Sequence, residues 1–191
     1  MAAVMSTRGM FLGRFQPPHL GHLTVLAEIA DEVDRLVIVV GSSQYSHTLE
    51  NPFTAGERVW MLDESLVEQD IHATIIPVPD IHRNSLWVSH VETFTPPFDV
   101  CYMNNPLPER LFREAGYDVR EFELVERERY EATRIRELMQ EDGDAWTQLV
   151  PDPVARIVDE IDGVERLKAV TSTDAANGTE EAMTEPPYKK R

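Results

Sequence analysis

The chain has 191 residues, and its length and 42% hydrophobic content suit one globular domain with a full core. Its 34 acidic residues outnumber the 18 basic ones, which gives a net charge of −16, and three of the basic residues are lysines. This balance excludes the basic stripe that binds nucleic acid, and no apolar run is long enough to cross a membrane. An acid excess with few lysines is typical of a halophilic protein, because concentrated salt screens the repulsion between its charges. An ordinary acidic surface that keeps the protein in solution is the alternative.

The two ends of the chain and its cysteine content indicate where the protein works. The N-terminus lacks the long apolar region of a secretion signal, and Met5 is an alternative start. Cys101 is the single cysteine and lies in an apolar run, so we expect a buried thiol and a cytoplasmic protein. The composition turns small and polar near the end, which predicts one domain over residues 1–170 and a disordered tail over 171–191.

Strands and helices alternate in the first third of the chain. The apolar run Met10–Leu12 predicts a strand, and apolar residues at helical spacing predict a helix over 20–33. The β-branched run Leu36–Val40 predicts a parallel strand that is buried on both faces. Thr54 and Glu57 have the spacing of a capping box, which predicts that the second helix begins there.

The alternation continues towards the C-terminus. Further strands are predicted over His72–Val78, Asp99–Met103 and Tyr117–Leu124, with a helix in each interval. One later helix begins near Glu131, and another is predicted over 152–163. This order favours a doubly wound, mostly parallel α/β sheet of the Rossmann type with C-terminal helices.

The stretch Gly13–His22 joins the first strand to the first helix, where a doubly wound fold binds ligands. It carries Arg14 together with His19 and His22, which lie three residues apart and therefore share a helix face. Free backbone N–H groups and the positive end of the helix favour phosphate at such a junction. The two histidines lack the further ligands that zinc requires, and the chain contains no nucleophile elbow or Walker sequence.

The same ten residues resemble the Gly-Arg-Phe-x-Pro-x-His-x-Gly-His signature of a superfamily that transfers adenylyl or cytidylyl groups. Three later stretches are similar to archaeal nicotinamide-nucleotide adenylyltransferases: Gly41–Thr54, Asp80–Val88 and Ala132–Arg136. The resemblance spans residues 8–168. It implies that ATP and nicotinamide mononucleotide react, with Mg2+, to give NAD and pyrophosphate by in-line attack without a covalent intermediate.

The resemblance also implies roles for individual residues on the ATP side. His19 and His22 would bind the phosphates of ATP and stabilise charge at the reacting α-phosphoryl group. Arg14 would neutralise phosphate, and Arg136 would hold the departing pyrophosphate. The other implied ATP-binding residues are Gly13, Phe15, Gly21, Asn104 and Thr133.

On the acceptor side, Trp87 is expected to recognise nicotinamide, because a large aromatic face attracts the cationic pyridinium ring. A core tryptophan of an amphipathic helix is the alternative. Asn84 lies three residues earlier and is expected to contact the carboxamide. The other residues assigned to nicotinamide mononucleotide are Ser42, Ile81 and Val88. No side chain is assigned to a metal, and Mg2+ is expected to arrive on the phosphates of ATP.

Two positions depart from the pattern of the family. Glu131 stands where the family usually has serine, so we expect its carboxylate to point away from the triphosphate or to meet Mg2+ or Arg134. Asn104 stands where a glycine is common, and asparagine tolerates a positive φ better than most residues. Both departures concern the fine geometry of the site rather than the class of reaction.

Two alternative functions stay open from the sequence. One is an adenylyltransferase of the same superfamily that acts on phosphopantetheine, although a flexible pantetheine arm needs no stacking platform such as Trp87. The other is a nucleotide sensor without activity, against which the complete set of His19, His22 and Arg136 argues. The resemblance implies a homo-oligomer, with a hexamer as the expectation. The choice between nicotinamide and nicotinic acid mononucleotide stays open.

Overall fold

The computed structural model describes residues 6–122, 130–141 and 143–172. Its sheet has the order β3-β2-β1-β4-β5, and every neighbouring pair of strands is parallel. The predicted doubly wound α/β fold is therefore confirmed, with a fully parallel sheet in the described part. The strands are β1 (Arg8–Gly13), β2 (Arg35–Val40), β3 (Ala73–Pro77), β4 (Val100–Tyr102) and β5 (Asp118–Arg120).

Helices alternate with the strands along the chain, and further helices come after the last strand, β5. The capping box predicted for Thr54 and Glu57 is present: the Glu57 N–H donates to Thr54 Oγ1, and the Thr54 N–H donates to Glu57 Oε2. Short 3-10 helices occupy Asn84–Leu86 and Ala145–Leu149. The α-helices are α1 (Leu20–Glu32), α2 (Ala55–Glu68), α3 (Trp87–Phe94), α4 (Pro106–Glu114), α5 (Ala132–Gln140), α6 (Asp152–Glu160) and α7 (163–172).

Alternate residues of the central strands supply two separate apolar layers. Phe11 and Ile38 point to one face of the sheet, where α1 and α2 cover them. Met10 and Val37 point to the other face and pack with α3 and α4. A third layer lies on α2, where α5, α6 and α7 pack around Met61. Both faces of the sheet are therefore covered, and its carboxyl edge is left for a site.

Two predictions near the C-terminus need correction. The strand predicted over 117–124 ends at Arg120 in the structure, and residues 123–129 lie outside the described ranges. The helix predicted over 152–163 ends at Glu160, before Asp162 takes the left-handed conformation (φ 51°), and α7, which was not predicted, begins at residue 163. Residues 171 and 172, where the predicted tail starts, are the last described residues of α7, and residues 173–191 lie outside the described ranges, so the tail stays a prediction.

None of the helices that the structure describes is long and apolar enough to span a bilayer.

Candidate functional site

Two adjoining cavities open at the carboxyl edge of the sheet. The first has a volume of about 400 Å³ and the second about 270 Å³. Leu12 and Gly13 line both cavities, so the end of β1 forms the partition between them. The order of strands reverses between β1 and β4, which is where doubly wound folds bind their ligands. The stretch Gly13–His22 therefore lies where the sequence predicts an anion site.

His19 and His22 line the second cavity and also cap α1. The His22 N–H donates to His19 Nδ1 at 3.2 Å, and the His19 N–H donates to His22 Nδ1 at the same distance. The pair thus forms a capping box in which imidazole nitrogens replace the usual hydroxyl and carboxylate. Because both Nδ1 atoms accept, a neutral ring at either position carries its proton on Nε2.

Burial keeps both imidazoles neutral. It lowers the pKa of His19 to about 4. Burial, together with repulsion from His19, also holds the pKa of His22 well below its usual range. The rings stack with their centroids 3.5 Å apart, which would be unfavourable for two cations. At neutral pH each side chain therefore offers an uncharged Nε2–H donor.

Packing against the histidines explains a glycine of the motif. A Cβ atom on Gly21 would lie 2.9 Å from the Cβ of Tyr130 and 3.3 Å from His19 Nδ1. The Tyr130 ring in turn stacks on His19 at a centroid distance of 6.4 Å. Tyr130 and Phe122 add aromatic surface to the second cavity, and neither was predicted as a site residue.

Glu131 lies at the N-cap of α5 and lines the second cavity. Arg134, one of the expected partners, instead contacts Glu137 at 3.2 Å and Glu141 at 3.5 Å. Within residues 6–122, 130–141 and 143–172, no group of three or more His, Cys, Asp or Glu side chains could hold a metal ion.

The first cavity collects most of the residues that the sequence assigned to nicotinamide mononucleotide. Ser42, Ile81, Asn84 and Trp87 all line it. Trp87 is half-buried at the start of α3, so its side chain belongs both to an apolar layer and to the cavity. Val88 packs in that apolar layer and does not line the cavity.

Asp80 joins two loops on the wall of the first cavity. Its carboxylate accepts from the Ser42 hydroxyl at 2.8 Å. The Gln44 side-chain amide accepts from the Asp80 N–H at 2.9 Å and donates to the Asp80 carbonyl at 3.1 Å. The Tyr45 hydroxyl and His82 Nε2 lie 2.8 Å apart. The sequence predicts a polar turn at Asp80 but not this connection, because its partners lie some 36 residues away.

The predicted catalytic arginines occupy different environments. Arg14 lines the first cavity together with Arg83, and neither side chain has an ionic partner among the described residues. Arg136 is 8% exposed and lines neither cavity. It donates to the Gln16 carbonyl at 2.9 Å and to Thr133 Oγ1 at 3.4 Å. Burial first, and the nearby Arg14 second, lower the pKa of Arg136.

Three residues assigned to ATP lie outside the second cavity. Phe15 is buried, and its ring lies so close to Gly13 that a Cβ there would be 2.8 Å from it. Thr133 serves as the acceptor for Arg136. Asn104 lines the first cavity instead, and its amide donates to the Phe122 carbonyl at 2.7 Å and accepts from the Phe122 N–H at 3.1 Å.

Comparisons with known proteins agree with this geometry. Residues 10–138 match the model of the family described as cytidylyltransferase-like. The chain is 53% identical over 169 residues to the nicotinamide-nucleotide adenylyltransferase of Methanothrix thermoacetophila, covering 88% of this chain and 99% of the relative. It is 50% identical over 177 residues to the enzyme of the same name from Halobacterium salinarum, covering 93% and 99%.

Solved structures share the fold. A bifunctional NMN adenylyltransferase/ADP ribose pyrophosphatase from Francisella tularensis, crystallised with AMP and a manganese ion, superposes with a TM-score of 0.70 at 19% identity. The alignment covers 98% of this chain and 58% of that protein, so the chain spans little more than half the length of its bifunctional neighbour.

Proposed function

The chain belongs to the cytidylyltransferase-like family and, within it, to the nicotinamide-nucleotide adenylyltransferases, and we propose that it transfers the adenylyl group of ATP to nicotinamide mononucleotide. The products are NAD and pyrophosphate. The observation that carries the proposal is the pair of cavities that share Gly13. One offers two neutral imidazole donors, and the other combines Trp87 with Arg14 and Arg83, whose side chains have no ionic partner in the part of the chain that the structure describes.

The geometry supports direct transfer. A phosphate oxygen of nicotinamide mononucleotide attacks the α-phosphorus of ATP, and the bond between that phosphorus and the β-phosphate oxygen breaks as pyrophosphate leaves. Positioning and charge stabilisation are what this reaction requires of a protein. Two of the side chains that could form a covalent intermediate are otherwise engaged: Cys101 is buried with its pKa raised to about 12, and the Ser42 hydroxyl donates to Asp80.

On the ATP side, His19 and His22 would donate their Nε2–H groups to phosphate oxygens in the second cavity. These donors are fixed by the capping box before the substrate binds, so their alignment costs little in the transition state. Arg136 lines neither cavity, so its implied role of holding the pyrophosphate would require the leaving group to reach beyond the second cavity, to the N–H groups that Gln16 and Thr133 leave free.

On the acceptor side, Trp87 would stack on the pyridinium ring, and Asn84 would contact its carboxamide. Arg14 lies next to the partition residue Gly13, so its guanidinium is suited to the phosphate of the mononucleotide at the point where the two substrates meet.

The residues that line the second cavity, which include one carboxylate residue, Glu131, fit a magnesium ion that arrives with ATP. Mg2+ keeps several waters and usually takes only one or two protein carboxylates beside substrate phosphates. Glu131 is a carboxylate on the wall of the second cavity and would supply such a ligand. When bound, the ion would neutralise part of the negative charge on the phosphates.

Composition and relatives also support proposals about the setting. The net charge of −16 and the relative from Halobacterium salinarum support a halophilic archaeal protein that works in concentrated salt. A homo-oligomer, expected to be a hexamer, stays a prediction, and sedimentation equilibrium in molar potassium chloride would test it.

The proposed activity is tested by measuring pyrophosphate release from MgATP in molar potassium chloride, with and without nicotinamide mononucleotide. We expect release that depends on the mononucleotide and equals the NAD formed. Parallel reactions with nicotinic acid mononucleotide and phosphopantetheine define the acceptor. Release that is independent of the mononucleotide, or faster with phosphopantetheine, would contradict the proposal.

A further inference from the structure

Arg58 is a buried cation that the proposed reaction does not use. It lies in the first turn of α2, is 0% exposed, and lines neither cavity. Its guanidinium donates to the carbonyl oxygens of Arg14 at 2.7 Å, Gly41 at 2.8 Å, Ser42 at 3.2 Å and Thr54 at 3.2 Å. In the part of the chain that the structure describes, no carboxylate forms an ion pair with it.

The charges of two carboxylates, Asp80 and Glu57, act on Arg58, and both groups are hydrogen-bonded to other side chains, Asp80 to the Ser42 hydroxyl at 2.8 Å. Both oxygens of Glu57 accept from Arg166, at 2.7 and 2.8 Å, and Glu57 also accepts from the Thr54 N–H. The guanidinium of Arg58 therefore binds main-chain carbonyl oxygens rather than a carboxylate. Burial lowers its pKa to about 10, so the side chain is still protonated at neutral pH.

Arg58 binds two peptide units whose orientation matters for the site. A single nitrogen, Nη1, donates to the carbonyls of Arg14 and Gly41, which lie at the ends of the adjacent strands β1 and β2. In a planar trans peptide the N–H points opposite to the C=O. The N–H groups of Phe15 and Ser42 therefore point away from Arg58, and neither has a hydrogen-bond partner among the described residues.

Both of these residues have an unfavourable backbone conformation. Phe15 has φ 54° and Ser42 has φ 51°, in the left-handed region that residues with a side chain rarely adopt. Each follows one of the peptide units held by Arg58 through Nη1. The hydrogen bonds from Arg58 thus stabilise the left-handed conformation at Phe15 and Ser42, which these residue types do not favour by themselves.

The peptide units bound by Arg58 border the first cavity. Arg14, Gly41 and Ser42 line this cavity, whereas Phe15 is buried and lines neither cavity, and Arg58 lies behind them. Main-chain N–H groups that converge beside left-handed residues form anion-binding concavities in proteins. The carbonyl oxygens, which would repel an anion, are turned towards Arg58 instead.

We propose that Arg58 is a positioning residue: by binding the carbonyls of Arg14 and Gly41, it aims the N–H groups of Phe15 and Ser42 at a substrate phosphate. The inference rests on the proposed function only in taking that anion to be the phosphate of the mononucleotide. It assigns to Arg58 a role in affinity for phosphate, separate from the stability that its hydrogen bonds to the main chain provide.

The test compares Arg58→Lys with the matched control Arg166→Lys. Lysine keeps the charge but lacks the planar fork that reaches several carbonyls at once. Calorimetry would measure the binding of nicotinamide mononucleotide and of nicotinamide riboside, which lacks the phosphate. We expect Arg58→Lys to weaken the mononucleotide by about tenfold and the riboside little, because phosphate loses charge-assisted hydrogen bonds. Arg166→Lys should leave the ratio of the two affinities unchanged.

A rescue experiment separates positioning from general damage. Glycine adopts positive φ without a side-chain penalty, so Ser42→Gly added to Arg58→Lys should restore part of the lost preference for the phosphorylated ligand. Ser42→Gly alone is the control for the lost hydrogen bond to Asp80. A double variant no better than Arg58→Lys would argue against the left-handed conformation as the feature that Arg58 supports.

A measurement on the unaltered protein decides the question if the variants do not fold. In an amide NMR titration, the signals of Phe15 and Ser42 should move downfield with the mononucleotide and stay in place with the riboside. Unmoved amides under saturating mononucleotide, or equal weakening of both ligands in Arg58→Lys, would overturn the inference. Failure of the proposed function would appear differently, as absent mononucleotide-dependent turnover in the wild type.

Discussion

The double use of His19, as helix cap and as proposed phosphate donor, can be separated by one pair of substitutions. Its Nδ1 accepts the His22 N–H at 3.2 Å, while its Nε2–H remains for a ligand. In His19→Asn the side-chain oxygen can accept the same N–H, since asparagine is a good N-cap, but no donor reaches the place of Nε2. In His19→Ala both groups are lost.

The magnitudes follow from these two roles. Removing one preorganised donor to a transition state lowers turnover by about 10²–10³, so both variants should fall by that factor while ATP affinity changes much less. Losing an N-cap costs about 1 kcal/mol. For a domain of this size 1 kcal/mol corresponds to about 2–4 °C in Tm, so His19→Ala should melt lower than His19→Asn by that amount.

Turnover would be measured as NAD formation at saturating MgATP and mononucleotide, and unfolding by circular dichroism in the same potassium chloride concentration. His72→Asn is a matched control, because His72 is exposed and lies at the opposite edge of the sheet. Wild-type turnover in His19→Asn would refute the donor role. Equal melting temperatures for the two His19 variants would refute the capping role.

Three further predictions concern the two cavities. Trp87→Ala should weaken the mononucleotide and spare ATP, with Trp87→Phe intermediate in calorimetry; an equal loss for both ligands would make Trp87 merely structural. Gly13→Ala should lower the free energy of unfolding by about 1–3 kcal/mol in denaturant titrations, because its Cβ would lie 2.8 Å from the Phe15 ring, and an unchanged midpoint would contradict that packing. The free energy of unfolding should also fall as the pH drops from 6.5 to about 4, because His19 binds a proton there in the unfolded chain but stays neutral in the folded protein. His19→Asn should flatten this dependence of stability on pH, and an identical dependence in the variant would mean that His19 is not buried in its neutral form.

The parts of the fold that could be predicted are those with local causes. Leu36–Val40 is a continuous apolar run rich in β-branched residues, and Thr54 with Glu57 has the spacing of a capping box. The strand β2 and the start of α2 can therefore each be predicted from a few adjacent residues. The helix α7, by contrast, was not predicted, and it packs through Leu167 on the layer around Met61, which is a contact between distant segments.

In the candidate site, too, the features with local causes could be predicted and those that depend on distant segments could not. The motif residues His19 and His22, and the acceptor residues Asn84 and Trp87, reach the predicted cavities because each lies next to the end of a strand or the start of a helix. The sequence does not predict how Asn104 is used. Its amide completes a main-chain pairing with Phe122, which only the registry of β4 and β5 brings within reach.

A common physical cause explains why the hydrogen-bond partners of several site residues escape prediction. The side chains of His19, Asn104 and Arg58 all form hydrogen bonds with main-chain groups. The direction of a main-chain N–H or C=O group depends on tertiary structure rather than on residue type. A phosphate, however, is bound largely by N–H groups, so the orientation of a peptide unit matters as much as the presence of a cation. Arg58 shows the consequence most clearly, because it reaches carbonyls 44 and 17 residues away in the chain. A lysine at that position would preserve the net charge of the protein, yet it would release a peptide unit whose N–H the substrate needs.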